Sequence, residues 1–273
     1  MIKLIVSDLD ETLVGPDGNV SEENIEAIKK ATQKGVKFVP NTGRGFESVQ
    51  PLLETLGLKG KANEFVISYN GGVIVENQNF DVIQANAFSF EQATQIFDIT
   101  KQHLENSTHI YTLNDVYVFN EVEEDNEYIR SRGVRTIRFE HDNLDTLKDE
   151  PIFKIITMNP DFNKRKQIKA EVLDKVNFDV NATFSSDRYT EFNLKGVDKG
   201  QATLELGRHL GIKADEIMAL GDNNNDVAML KSVGLPVVVS NASASAKANA
   251  KYIAKGNYET GVAEAINKFV LGE

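Results

Sequence analysis

The 273-residue chain contains no cysteine and no tryptophan, and only four histidines. Without cysteine there is no disulfide, thiolate nucleophile, iron–sulfur cluster or thiolate-bound zinc, and the composition suits a reducing compartment. The histidines, His103, His109, His141 and His209, are scattered without metal-binding spacing and read as surface or polar-core residues. Basic charge is also short: 30 Lys and Arg face 41 Asp and Glu, a formal net charge of -11. That excess works against condensation onto nucleic-acid phosphates or anionic lipid. No apolar run approaches the ~20 residues that span a bilayer. The apolar start is interrupted by Ser7 and Asp8 before a signal-peptide core can form. These absences predict a cytoplasmic protein, a monomer or weak homodimer, with no nucleic-acid or membrane partner.

What is present fits about two domains of ~150 residues, with 41% hydrophobic residues to fill their cores. Over the first 80 residues short apolar runs alternate with amphipathic segments, the pattern of parallel strands with crossover helices. Strands are expected at 3–7, 36–39 and 65–68, helices after Ser21 and at 46–56, and a hairpin through Asn70-Gly71-Gly72. From about Val82 the pattern becomes local and antiparallel, with helices at 89–104 and 161–176 and a two-residue hairpin loop at Asn114-Asp115. Phe162, Ile168, Val172, Leu173 and Val176 share one face of the second helix. After Lys199 the βαβ rhythm returns. The prediction is an α/β fold: a discontinuous Rossmann-like, parallel-sheet core over 1–82 and 188–273, and an α+β domain inserted at 83–187.

Polar clusters follow three of the core strands, where open α/β sheets bind ligands. After Leu4-Ile5-Val6 stands Ser7-Asp8-Leu9-Asp10-Glu11-Thr12, and after the strand at 217–220 stands Gly221-Asp222-Asn223-Asn224-Asn225-Asp226. If these strands are neighbours, up to four carboxylates converge. Buried together they need a cation or raised pKa values, and all-oxygen ligation favours Mg²⁺. One such cluster alone reads as helix caps and turns; two, on opposite sides of an insertion, do not. Asn41-Thr42-Gly43-Arg44-Gly45 offers a hydroxyl and glycine-flanked amides for a phosphate, and Lys199 offers a positive charge at a helix start.

In this order the residues resemble the haloacid dehalogenase superfamily of phosphotransferases, specifically its Cof-like group of phosphatases. Asp8-Leu9-Asp10-Glu11-Thr12 matches the first motif, Thr42-Gly43-Arg44 the second, Lys199-Gly200 the third, and Gly221-Asp222 with Asn225-Asp226 the fourth. The resemblance implies Asp8 as nucleophile, forming an aspartyl-phosphate, and Asp10 as the acid that protonates the leaving oxygen and later activates water. It implies Mg²⁺ held by Asp8, the backbone carbonyl of Asp10 and Asp222, with Asp226 bracing the loop behind them. It also implies that the Leu9 and Gly43 amides, the Thr42 hydroxyl, Lys199 and Asn225 neutralise the phosphoryl oxygens. Two positions depart from the pattern. Glu11 replaces a frequent Gly, so no positive φ is expected there, and Asn41 replaces a frequent small residue.

The expected activity is Mg²⁺-dependent hydrolysis of small phosphorylated metabolites such as sugar phosphates or phosphorylated cofactors. The alternatives are a phosphomutase of the same superfamily and a phospho-acceptor module without turnover. The resemblance assigns specificity to the inserted cap. There, Arg130, Arg132, Arg135 and Arg138 read first as a solvated basic face beside Glu123, Glu124 and Glu127, and second as a seat for another substrate anion. Arg44 is a substrate contact or a loop-bracing ion pair, Asn70 lies at the rim, and Arg188 and Tyr189 are hinge or lid candidates.

Overall fold

A computed structural model describes residues 1–131 and 133–273, so the Arg132 of the basic run lies outside the described residues. The chain divides into two compact units, Met1–Ala85 with Asp198–Glu273, and Asn86–Val197. In chain order the first unit opens with β1 (Leu4–Ser7), α1 (Glu22–Gln33), β2 (Lys37–Pro40), α2 (Phe46–Leu56), β3 (Phe65–Ser68), β4 (Val73–Glu76) and β5 (Val82–Ala85). The second unit holds α3 (Phe90–Thr100), β6 (Ser107–Tyr111), β7 (Val116–Phe119), α4 (Glu123–Ser131), β8 (Thr136–Phe139), β9 (Lys154–Met158), α5 (Phe162–Lys175), β10 (Val180–Ser185) and β11 (Tyr189–Leu194). The first unit resumes with α6 (Lys199–Leu210), β12 (Ile217–Gly221), α7 (Val227–Ser232), β13 (Leu235–Val238), α8 (Ala244–Lys247), β14 (Tyr252–Ile253) and α9 (Gly261–Ile266).

The first unit is built on a parallel sheet ordered β14-β13-β12-β1-β2. All four residues of β1 are buried, as expected of a central strand covered on both faces. It pairs in parallel with β12 and β2, so Ser7 stands opposite Leu220 on one side and Pro40 on the other. Three strands therefore end at one level, and the segments leaving them, at Asp8, Asn41 and Asp222, are brought side by side. Helix α1 starts where the Ser21 hydroxyl accepts the Asn24 amide at 3.2 Å, with Glu22 and Glu23 in its positive first turn. Val6, Val39, Ile67, Leu206, Ala219 and Met229 fill one side of the sheet. A separate antiparallel sheet, β3-β4-β5, joins through a bridge between Asn41 and Ile67.

The second unit is a six-stranded sheet ordered β10-β11-β9-β6-β7-β8, antiparallel except for the β7–β8 pair. One face packs Ile110, Ile155 and Phe192 against Phe97 of α3 and Ile168 and Val172 of α5. Several expectations are corrected here. The return to the first unit was expected at 188, yet β11 pairs with β9 and β10 and the unit runs on to Val197. Tyr189 and Arg188 are accordingly not a hinge: the Tyr189 hydroxyl donates to Asp125 at 2.6 Å, and Arg188 lies over the Tyr128 ring. The Asn114-Asp115 turn is part of a four-residue loop, because the last strand pair is Tyr111 with Val116, and the Thr112 amide closes that loop by donating to the Asp115 carbonyl. Phe162 and Leu173 are 48% and 44% exposed, while Arg165 is the buried companion of Ile168 and Val172 on α5. Helix α4 was not expected, for its buried face is Asp125, Asn126 and Ile129.

Candidate active site

One carboxylate oxygen each of Asp8, Asp222 and Asp226 lies within 4.8 Å of the others, and all three residues are buried. Asp8 leaves β1 and Asp222 leaves β12, so the parallel register of the two strands brings them together. Asp226 comes from the following 3-10 turn and folds back on its own loop, where its Oδ2 accepts the amides of Asp222 at 2.9 Å and Asn223 at 3.0 Å. Only glycine allows that return at position 221, since a Cβ there would stand 2.6 Å from the Asp226 Cβ. The Thr12 hydroxyl donates to Asp222 at 2.8 Å, tying the first cluster to the last.

Lys199 is fully buried at the start of α6, and its ammonium donates to Asp8 and, at 2.8 Å, to Asp226. The helix can approach this closely because residue 200 is glycine, whose Cβ would meet the Ala228 carbonyl at 2.5 Å. Burial pushes the Asp8 carboxyl well above the usual carboxylate range, against the pull of Lys199 and with the help of Asp226 and Asp222. Asp222 is pushed up to about 6, first by burial and then by Asp226. Burial disfavours the Lys199 charge as well, but Asp226 and Asp8 outweigh it and hold its pKa above the ordinary 10.5.

Fully ionised, the three carboxylates and one ammonium leave two negative charges in a buried pocket of hard oxygen donors. That donor set suits a divalent oxygen-seeking cation, whose charge would offset the remaining repulsion. The Asp10 carboxylate stands apart from the cluster. It is gripped by Arg44, whose Nε donates to Asp10 Oδ2 at 3.0 Å while Nη2 donates to Oδ1. Of the two expectations for Arg44, the ion pair is the one formed here.

Thr42 is buried, and its hydroxyl accepts the Arg44 amide at 3.1 Å. Leu9 is buried, with its carbonyl accepting the amides of Thr12, Leu13 and Val14 in a tight turn. Gly43 is half-buried beside the Asn70 side chain, and Asn225 is exposed on the turn before α7. Glu11 corrects an expectation: its φ is +63°, so this position does use the left-handed backbone that favours glycine. Such a backbone costs a side-chain-bearing residue about 1–2 kcal/mol. Here the Glu11 carbonyl accepts the side-chain Nδ2 of Asn241 at 2.8 Å and its own backbone amide donates to the Val14 carbonyl.

Sequence reasoning placed Asn70 at the rim and overlooked Tyr69. These two consecutive residues have φ of 55° and 56°. The Asn70 amide donates to the Thr42 carbonyl and the Tyr69 amide to that of Arg44, so a strained turn braces the second cluster. The Asn-Gly pair was the available signal. The link from Asn41 to Lys199 left no signal, since the two are far apart in sequence.

The family model described as haloacid dehalogenase-like hydrolase matches residues 5–266. The chain is 32% identical over 276 residues to the 5-amino-6-(5-phospho-D-ribitylamino)uracil phosphatase YcsE of Bacillus subtilis, covering 99% of this chain and 96% of that relative. It is 30% identical over 272 residues to a phosphoglycolate phosphatase of Methanobrevibacter smithii, covering 99% of both. Among solved structures, a haloacid dehalogenase-like hydrolase from Bacteroides thetaiotaomicron matches with a TM-score of 0.87 at 26% identity, over 98% of this chain and 99% of that one.

Proposed function

Because the chain belongs to the haloacid dehalogenase-like hydrolase family, we propose that its strand-end carboxylates hydrolyse phosphoric monoesters of small metabolites through an aspartyl-phosphate on Asp8. The enzyme is a phosphatase. The observation that carries the mechanism is the buried group of Asp8, Asp222 and Asp226 around the Lys199 ammonium. Asp8 attacks phosphorus, and the leaving oxygen takes the proton of Asp10 as the ester bond breaks. Asp10 then removes a proton from water, which attacks phosphorus and frees Asp8 and inorganic phosphate. Arg44 donates to both Asp10 oxygens in this structure and so holds the ionised form; one of the two bonds must open for Asp10 to carry the proton, and the other keeps the group oriented. Lys199, the Thr42 hydroxyl, Asn225 and the amides of Leu9 and Gly43 stabilise the charge that gathers on the other phosphoryl oxygens.

Asp8, Asp222 and the backbone carbonyl of Asp10 would hold Mg²⁺, with Asp226 fixing the loop of Asp222. When bound, the ion polarises the phosphoryl group and offsets the carboxylate repulsion. The substrate is a small phosphorylated compound, with sugar phosphates and phosphorylated cofactors as the classes to test first. Two relatives of nearly equal similarity bear the names of unlike substrates, a ribitylaminouracil phosphate and phosphoglycolate, so likeness alone does not choose among them. Selection is assigned to the inserted unit, Asn86–Val197.

Phosphate release from an aryl phosphate and a metabolite panel tests this reading, with Mg²⁺, with chelator and with Asp8→Asn. Release should require the metal and fall by roughly 10³-fold or more in the variant, while the fold is kept. Comparable release by Asp8→Asn would reject the covalent route. Phosphoryl transfer to a hexose phosphate without free phosphate would indicate a mutase, and a long-lived phospho-enzyme without turnover an acceptor module.

A further inference from the structure

Asn41, the departure from the small residue usual before the second motif's threonine, is fully buried at the end of β2. Its amide donates to the Ser7 carbonyl at 2.8 Å, next to Asp8. Its side-chain Nδ2 reaches across to α6, donating to the Lys199 carbonyl at 3.0 Å and to the Thr203 hydroxyl at 3.2 Å. The Thr203 hydroxyl in turn donates to the same Lys199 carbonyl at 2.7 Å. Two side chains thus converge on the main chain of the one residue whose ammonium bridges Asp8 and Asp226.

A lysine stem is flexible in solvent, but that of Lys199 is fully buried and confined by its surroundings, so the place of its ammonium follows the backbone that carries it. A buried amide that bonds such a backbone also resists displacement, because breaking the contact leaves donors without partners in an apolar setting. We infer that Asn41 is a positioning residue, which locks the Lys199 main chain to the end of β2 and so sets the ammonium against Asp8. The inference rests on the phosphatase reading of the site. It makes the residue before Thr42 part of the machinery in this chain, acting through Lys199 and touching no substrate.

The test compares wild type, Asn41→Ala, Asn41→Leu, Lys199→Ala and the Asn41→Ala/Lys199→Ala double variant. The readouts are kcat and KM for an aryl phosphate in saturating Mg²⁺, inorganic phosphate binding by calorimetry, and the thermal midpoint. Leucine keeps the branched four-heavy-atom outline of asparagine, with bulkier methyl ends, and removes its donors. Both Asn41 variants should lose about tenfold in kcat/KM and bind phosphate more weakly. In the Lys199→Ala background the Asn41 change should add almost nothing, since a residue acting through a lost partner has no further effect. Wild-type kinetics in Asn41→Leu, or losses that multiply in the double variant, would overturn the role while leaving the phosphatase reading intact. Wild-type protein that neither releases nor binds phosphate would overturn both. Should Asn41→Ala fail to fold, Asn41→Leu and Thr203→Val, which strips the second donor from the Lys199 carbonyl, decide the matter by the same cycle.

Discussion

Each compact unit buries a polar cluster, and the two are balanced in opposite ways. In the first, Asp8, Asp222 and Asp226 share a single ammonium. In the second, the one carboxylate of Asp125 receives the Ser107 hydroxyl, the Tyr189 hydroxyl at 2.6 Å and His109 Nε2 at 2.6 Å. Asp125 and His109 are as deeply buried as any group in the molecule, and together they fasten α4 to β6 and β11. Burial of an acid is common to both places. The difference is that donors match the carboxylate in one and fall short in the other, and only the shortfall calls for a ligand.

The pair of substitutions Asp222→Asn and Asp125→Asn should separate the clusters most widely. Asp222→Asn should lower turnover by roughly 10²-fold or more, as expected when a metal-binding carboxylate is lost. It should also abolish the rise in thermal midpoint that saturating Mg²⁺ gives wild type, an effect worth about 2.7 kcal/mol at a hundredfold excess over Kd. Asp125→Asn should leave turnover and the Mg²⁺ response within about twofold and destabilise the fold by about 1–3 kcal/mol, the cost of leaving buried hydroxyl and imidazole partners poorly matched. A metal response lost in Asp125→Asn would break the comparison.

Acid should act on the two clusters with opposite sign. The Asp222 carboxyl is raised in the fold, from 3.8 to about 6, so folding favours its protonated form. Its stabilising contribution is complete below 3.8 and is lost as pH rises through about 6 in metal-free protein. Asp125 is the reverse: burial works against its charge, yet hydrogen bonds from His109, Ser107 and Tyr189 hold its carboxyl below 3.8. Its contribution is present above 3.8 and is lost as pH falls through the lower folded value. In chelator, Asp222→Asn should therefore gain stability relative to wild type between pH 4 and 7, and the deficit of Asp125→Asn should shrink below pH 4, by thermal melts across that range. The smallest effect is expected at the surface. Arg138 pairs with Glu140 at 3.1 Å and Glu121 at 3.8 Å with most of its side chain in water, and Arg130 pairs with Glu123 at 3.7 Å. Arg138→Ala should change KM less than twofold across a metabolite panel; a larger rise for a substrate with a second anion would give the basic run a role in recognition.

How legible all this was in the sequence depended on the kind of contact. The parallel strands were written in runs such as Leu4-Ile5-Val6, and the strand-end carboxylates followed them directly, but whether they converge hung on β1 and β12 being neighbours, which only the pairing supplies. Helix α4 was illegible because the side it buries is Asp125 and Asn126, and an apolar period cannot report a polar face. The end of the inserted unit was misplaced because β11 resembles the strands of either unit, and only its pairing with β9 and β10 assigns it. Arg44 could be read as binding substrate or bracing a loop until Asp10 was found beneath its guanidinium. The positive φ of Glu11 was hidden by the side chain itself, since a glutamate gives no sign that its backbone is left-handed.

An interior strand of the parallel sheet, β1, comes from the start of the chain and pairs on one side with residues more than two hundred positions later, Leu4 with Ile217. During synthesis β1 therefore leaves the ribosome long before β12 exists, while the inserted unit, continuous from Asn86 to Val197, is complete before either Lys199 or Asp222 has been made. The insertion is then free to fold as a unit of its own, and the core waits, with the apolar edge of β1 open on one side, for the last quarter of the chain. Nascent chains stalled between Val197 and Ile217 should thus carry a protease-resistant insertion beside a core that is still cleavable, and full-length refolding should have its slow phase in the closure of that parallel pair.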